Sequence, residues 1–299
     1  MNSIQHAPDT MIEGLSNEEY HAHPAVSAST LKRILFNDET YEVANNIPVE
    51  ATPFMEFGTL VHCLILEPHK FPDEYIVMPK VDLRTKDGKA VKAEYEENAQ
   101  GKNIITEADY ERALNCVKAF NEDGAKRLID GGENEQRFLG VVKDISLYDE
   151  NGKEIIGLYD IDTRGMIDNI NRPKSIITDL KVTQNFGRAF NRECGDRGHG
   201  MQLALYDDLS GGVRQRAIIG IQSHPPHKIT IVEVSDAEKE TGRDFYRTGI
   251  ELWLDIKTYP HKYNSRLCFN REDNSVVFQL ETPYWQHLMI DKIKKRRGY

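Results

Sequence analysis

The sequence predicts an α/β domain with helices packed on both sides of a central mixed sheet. Three observations carry that reading. Apolar residues recur at helical spacing through about residue 132; from Glu135 the period shortens to that of strands; helical spacing returns over 186–209 and 236–257. An opening tail, 1–14, precedes a single domain over 15–299. Its helical N-terminal part covers about 15–132 and its sheet-bearing core about 133–299.

Each element has its own justification in the sequence. Ser16 with Glu19 three residues on forms a capping box for a short helix. Ser27 or Ser29 caps a second helix carrying Leu31, Ile34 and Leu35 at helical spacing. The apolar stretch FMEFGTLVHCLILE, 54–67, reads as a buried helix stopped by Pro68. Residues 75–92 read as a basic loop with Asp87–Gly88 as a turn signal. A helix from Thr106 runs to the Gly131–Gly132 pair, with Leu114, Val117, Phe120 and Leu128 on its apolar side. Strands over 137–147 and 154–168, joined through Asn151–Gly152, and a third over 175–182 make an antiparallel meander. One helix follows over 186–209. Strands over 213–222 and 228–234 flank the turn His224–Pro225–Pro226–His227, and a long helix covers 236–257. An edge strand over 275–280 and a helix over 285–295 close the chain. The pairs His21/His23 and His224/His227 read as surface, packing or turn residues rather than metal ligands.

Composition excludes several classes of function. With 299 residues, 39% hydrophobic and 29% charged, the chain is globular. No apolar run approaches the roughly 20 residues of a membrane span. The opening MNSIQHAPDTMIEG lacks a basic region followed by an apolar one, so the expected location is cytoplasmic, with no membrane partner. Cys63, Cys116, Cys194 and Cys268 form no CxxC pair, which argues against zinc ribbons and disulfide frameworks. The net charge of −10 argues against wrapping nucleic acid by bulk charge, yet leaves room for a local basic channel. Basic residues are dense over 84–92, 188–197, 214–216 and 292–297, each of which alone reads as a solvated face. Within the second run, Arg188, Arg192 and Arg197 are the candidate DNA contacts.

The chemistry gathers over 164–181, RGMIDNINRPKSIITDLK. Asp179 and Lys181 are two apart and share a strand face, and a hairpin brings Asp168 beside them. Two carboxylates and a lysine on one sheet face suit phosphodiester hydrolysis with a divalent ion. Asp168 and Asp179 are the candidate ligands, with the Leu180 carbonyl completing the shell. Lys181 holds the attacking water or offsets charge, and beside a metal its pKa can fall far enough to assist proton transfer. Asp160 and Asp162 compete with Asp168 but lie farther from the turn. Upstream, Gly58 and His62 stack on one helical face, the glycine permitting close backbone approach. Taken alone, His62 reads as a satisfied core histidine. Downstream, Gln202 and Tyr206 stack in the same way.

The order Gly58–Thr59–Leu60–Val61–His62, Asp168, Asp179–Leu180–Lys181, Gln202–Leu203–Ala204–Leu205–Tyr206 resembles the PD-(D/E)XK nucleases of the RecB and λ-exonuclease group. More narrowly, the chain resembles the C-terminal nuclease domain of RecE (exodeoxyribonuclease VIII) and its phage-encoded relatives over about residues 15–290. It departs from the motif in lacking a proline before Asp168 and in carrying Asp179, not glutamate, at the second acidic position. The resemblance implies a restriction-endonuclease-like core and Mg²⁺-dependent digestion of linear double-stranded DNA ends, Mn²⁺ being an alternative ion. It implies 5′→3′ polarity leaving 3′ single-stranded tails, a RecT-type single-strand annealing partner in recombination, and a homo-oligomeric ring, trimer or tetramer. It also implies that His62 binds the metal or its water, that Gln202 and Tyr206 support the site or contact the scissile strand, and that Glu135 and Gly58 have supporting roles. Two alternatives stand beside it: a nuclease with endonuclease or single-strand specificity in repair, and a non-cutting scaffold that binds DNA or protein.

Overall fold

Strand alternation over 133–183 and 215–233 builds one sheet, and the flanking segments cover it. The computed structural model describes residues 9–13, 15–82, 84–264, 268–269 and 276–277. The chain begins with β1 (Asp9–Glu13), which pairs antiparallel with residues 138–141. Most of the described part of the expected tail is therefore a sheet edge, placed by main-chain hydrogen bonds that leave no mark in the side-chain pattern. Helix α1 (Asn17–Ala22) starts at the Ser16–Glu19 capping box: Ser16 Oγ accepts the Glu19 N–H at 3.2 Å and the Glu19 carboxylate accepts the Ser16 N–H at 2.9 Å. The short β2 (Val26–Ser27) leads into α2 (Ala28–Phe36), capped by Ser27 rather than Ser29, with Leu31, Ile34 and Leu35 buried. Helices α3 (Thr40–Ala44) and α4 (Pro53–Leu66) follow. As expected, Pro68 ends α4, opening a tight turn before α5 (Phe71–Glu74).

The basic loop expected over 75–92 is absent. Its place is taken by β3 (Tyr75–Met78) and most of α6 (Lys86–Asn98). Asp87 and Gly88 form the first helical turn: Thr85 caps it by accepting the Gly88 N–H at 3.0 Å, and a Cβ on Gly88 would lie 2.1 Å from the Asp82 carbonyl oxygen. Close packing, not a reverse turn, explains that glycine. Strand β4 (Asn103–Thr106) pairs parallel with β3. The helix expected over 106–129 divides into α7 (Glu107–Glu122) and α8 (Lys126–Ile129) around Gly124, which has φ +76°. Its buried side is Ala113, Cys116 and Phe120, while Leu114 faces outward at 42% exposure.

The meander is β5 (Glu133–Tyr148), β6 (Ile155–Asn171) and β7 (Ile176–Thr183), followed by α9 (Arg188–Asp196), α10 (His199–Leu209), β8 (Gln215–Gln222) and β9 (Ile229–Glu233). The sheet order is β1-β5-β6-β7-β8-β9, with β2 parallel on β6; only β7–β8 and β2–β6 are parallel pairs, so the sheet is mixed. The single helix expected over 186–209 breaks at Gly198, which has φ +63° and whose added Cβ would lie 2.3 Å from the Phe36 ring. Only glycine meets both conditions.

Helices cover both faces. Ile177 and Ile218 pack with α2, α10 and α11 (Asp236–Thr258), while Leu180, Ile219 and Ile221 pack with α4 and α7. Beyond α11 lie α12 (His261–Asn264), β10 (Cys268–Phe269) and β11 (Val276–Val277), the last falling within the expected edge strand. The helix expected over 285–295 lies outside the described residues. Among the described residues, no helix is long and apolar enough to cross a membrane.

Candidate active site

The β6–β7 ladder is short, running only from Asn171↔Ile176 to Asn169↔Thr178. Past that point β6 takes β2 as its partner at Thr163 and Arg164 while β7 keeps only β8, so the two strands part. Asp168 and Asp179 stand at this fork. Because the ladder has ended, the Leu180 N–H lacks a strand partner, and Asp168 Oδ2 accepts it at 2.6 Å. Asp168 is thereby fixed against the backbone of the strand that carries Asp179 and Lys181. The competitors Asp160 and Asp162 are exposed farther along β6.

Asp179 is 1% exposed and its Oδ2 lies 2.6 Å from Lys181 Nζ. Lys181 Nζ also donates to the Leu180 carbonyl at 3.2 Å. That carbonyl, expected in a metal shell, accepts one hydrogen bond from the lysine and keeps a second lone pair. Burial opposes the charge on Lys181, but Asp179 and then Asp168 outweigh it and hold the ammonium above the ordinary lysine range. Two facing carboxylates favour the charged form; the lowering expected of this lysine belongs to the site with its ion bound.

The ligand atoms that converge are those of His62, Glu135 and Asp168, all within 4.8 Å of one another. His62 comes from α4, its Nδ1 3.7 Å from Asp168 Oδ2. Helix α4 is tied to the sheet beside it, since the Asn134 amide donates to the Leu66 carbonyl at 2.7 Å. Glu135, expected only to support the site, is a full member of this group. Its backbone has φ +52°, inside a strand and on a residue with a Cβ. Burial first, then Asp168 and Glu67, push its carboxyl up to about 8. Burial also raises Asp168; His62 opposes that, Asp179 adds to it, and Lys181 and the Leu180 N–H oppose it. Asp179 is turned instead toward Lys181 and Gln202. Gly58 makes no close approach: an added Cβ would find Val182 Cβ at 4.0 Å, an ordinary contact.

Gln202 and Tyr206 reach the site from α10. Gln202 Nε2 donates to Asp179 Oδ1 at 3.1 Å and to the Tyr206 hydroxyl at 3.0 Å. Tyr206 packs tightly over β6, where a Cβ on Gly165 would lie 2.9 Å from its ring. Burial, then Tyr20, Asp179 and Asp168, hold its phenol well above the usual value. Two residues here escaped the sequence reading. Lys32 Nζ donates to Gln202 Oε1 at 3.0 Å and lies 2.9 Å from His199 Nδ1. Burial first, then Lys181, pull Lys32 down to about 7, and burial pulls His199 down to about 2. The one sequence signal for them was position: His199 lies three residues before Gln202 on one helical face. Arg188, Arg192 and Arg197 are all exposed, on or next to α9, with Arg197 paired to Glu193 at 3.1 Å.

The family model described as a PDDEXK-like domain of unknown function (DUF3799) matches residues 27–268. None of the curated proteins matches the chain. Among solved structures, a candidate exonuclease from Eubacterium rectale is 14% identical with a TM-score of 0.54, covering 90% of this chain and 96% of its own. That likeness bears on the fold alone. A phage-related exonuclease from Haemophilus somnus 129PT is 13% identical with a TM-score of 0.32, covering 73% of this chain and 99% of its own. A likeness at that score adds nothing to the argument.

Proposed function

The chain belongs to the PDDEXK-like family, and from that premise we propose that it is an exonuclease that hydrolyses linear double-stranded DNA with a divalent cation. The observation that carries this reading is the convergence of His62, Glu135 and Asp168 at the strand fork, beside the Asp179–Lys181 pair. Two carboxylates on buried or half-buried side chains fit a hard divalent ion, Mg²⁺ or Mn²⁺, and the imidazole nitrogen beside them favours Mn²⁺ over Mg²⁺. When bound, the ion supplies charge neutralisation at the scissile phosphate.

The remaining work falls to the chain's own residues. Lys181, held protonated by Asp179, orients the attacking water and offsets negative charge that builds on the phosphate oxygens. Asp179, gripped by Gln202, stands on β7 beside the group of His62, Glu135 and Asp168 and holds Lys181 next to it. Tyr206 takes the second Gln202 hydrogen and so stiffens that side of the site. The exposed Arg188 and Arg192 lead the duplex toward the fork. In this reading digestion runs 5′→3′ and leaves 3′ tails for a RecT-type annealing partner. A ring-shaped homo-oligomer would keep the enzyme on its strand.

The test is digestion of linear duplex DNA labelled at one 5′ or one 3′ end, with and without Mg²⁺, beside closed circular DNA. Metal-dependent release of the 5′ label from linear DNA alone is expected. Lys181→Ala should lose about 10²–10³-fold in rate while keeping the wild-type fold by its far-ultraviolet spectrum. Cutting of the circle would make the protein an endonuclease, and no cutting of either would leave a binding scaffold.

A further inference from the structure

Gln202 is held at both ends of its amide. Its Nε2 faces Asp179 Oδ1 at 3.1 Å and the Tyr206 hydroxyl at 3.0 Å, while its Oε1 accepts from Lys32 Nζ at 3.0 Å. The two ends of a primary amide have almost the same shape and differ in hydrogen-bonding polarity. Turned over, the amide would set its oxygen against the Asp179 carboxylate and its NH₂ against the protonated Lys32, two repulsive contacts. Asp179 and Lys32 therefore select the same orientation from opposite sides.

Lys32 is itself fixed. It comes from α2, which is bound to α10 through two acceptors on one helical face, His199 Nδ1 at 2.9 Å and Gln202 Oε1. Burial drives the His199 ring toward its neutral form, and its Nδ1 is the atom that faces the protonated Lys32. Both of these acceptors are neutral. An amine buried for packing alone would meet a carboxylate or be replaced by an apolar chain of equal length. Here it meets the one amide that bonds the candidate active-site aspartate.

We propose that Lys32 is a positioning residue for DNA cleavage: from α2 it locks the Gln202 amide in the orientation that donates to Asp179, and so keeps that carboxylate beside Lys181. The proposal rests on the nuclease reading, and its test separates the two. Gln202 is replaced by Ala, Lys32 by Met, and both together. Cleavage of linear duplex is followed for kcat and KM. In parallel, the Gln202 side-chain NH₂ signals are followed by NMR in ¹⁵N-glutamine-labelled protein without metal or DNA.

Lys32→Met should lower kcat about tenfold to a hundredfold, the cost of a misplaced group, with KM within about twofold of wild type. The double variant should cut no more slowly than Gln202→Ala alone, because both changes break one chain of contacts. The Gln202 NH₂ pair, shifted and exchange-protected in the wild type, should move toward the position of solvent-exposed glutamines in Lys32→Met. Should the buried methionine loosen α2, the same NMR reading on Lys32→Gln, whose side chain stops short of Gln202, takes its place. Losses that multiply in the double variant, a raised KM at unchanged kcat, or unmoved amide signals would each overturn the proposal. A wild-type chain that cuts nothing would sink the nuclease reading and the catalytic half of this one, while the amide signals still report whether Lys32 orients Gln202.

Discussion

Glu135 has a left-handed backbone, φ +52°, within β5, between the pairs Asn134↔Asn169 and Gln136↔Ile167. For a residue with a Cβ that conformation costs about 1–3 kcal/mol, and such strain collects at functional sites. Here it turns the carboxylate toward His62 and Asp168. If the three bind one ion, Glu135→Gln should weaken Mn²⁺ binding, read by calorimetry without DNA, at least about tenfold, and leave the far-ultraviolet spectrum unchanged. Unaltered affinity would remove Glu135 from the ligand set. Such a role was only partly legible in the sequence. Strand period pairs Asp179 with Lys181, a hairpin adds Asp168 and helix period pairs Gln202 with Tyr206, while the family resemblance joins the two groups. Glu135 joins them by a backbone conformation that no residue pattern announces. Lys32 and His199 join through the contact of α2 with α10, and in sequence Lys32 looks like any lysine on an amphipathic helix.

At the scale of elements, the sequence succeeds where one period governs and fails where packing decides. The capping box of α1, the hairpin of β5 and β6 and the long α11 follow from local chemistry. The β3–β4 pair and the break at Gly198 depend on neighbours distant in sequence, whereas α6 and the break at Gly124 rest on a local cap and a positive φ that no period reports. Glycine shows both outcomes. Gly58 lies inside α4 with only an ordinary contact waiting for a Cβ, so Gly58→Ala should stabilise the fold by about 0.5–1 kcal/mol and raise Tm. A fall in Tm would mean that α4 needs the gap. The joint of α10 and α11 depends on charge. Asp208, 5% exposed, accepts from Arg243 Nε at 2.7 Å and from the Tyr246 hydroxyl at 2.8 Å. Burial raises its pKa, but Arg243, Lys239 and Tyr246 outweigh that and leave it below the ordinary aspartate value. A depressed folded pKa gives stability that is complete above the unfolded value and is lost as pH falls through the folded one. Asp208→Asn should therefore cost about 3–5 kcal/mol at neutral pH and flatten the loss of stability below about pH 4. An unchanged acid limb in the variant would place that titration elsewhere.

Taken whole, the molecule carries a net charge of −10, and the proposed substrate is a polyanion. Bulk attraction is thus excluded, and binding must rest on a few cations close to the fork. Arg188 and Arg192 are four apart and exposed on α9, next to the strand that carries Asp179 and Lys181, whereas Arg197 is partly neutralised by Glu193. Each phosphate neutralised releases counterions, so log affinity should fall with log salt at a slope of about −0.9 per contact. Measured by anisotropy on duplex DNA in chelator, where no cutting intervenes, the slope should be clearly negative despite the acidic surface. Replacing Arg188 and Arg192 together by alanine should flatten it by roughly 2, while Arg197→Ala should change it less. A slope near zero in the wild type would mean that the duplex is held by groups other than cations. A slope unaffected by the Arg188/Arg192 change would move the channel off α9, to the basic residues of another face.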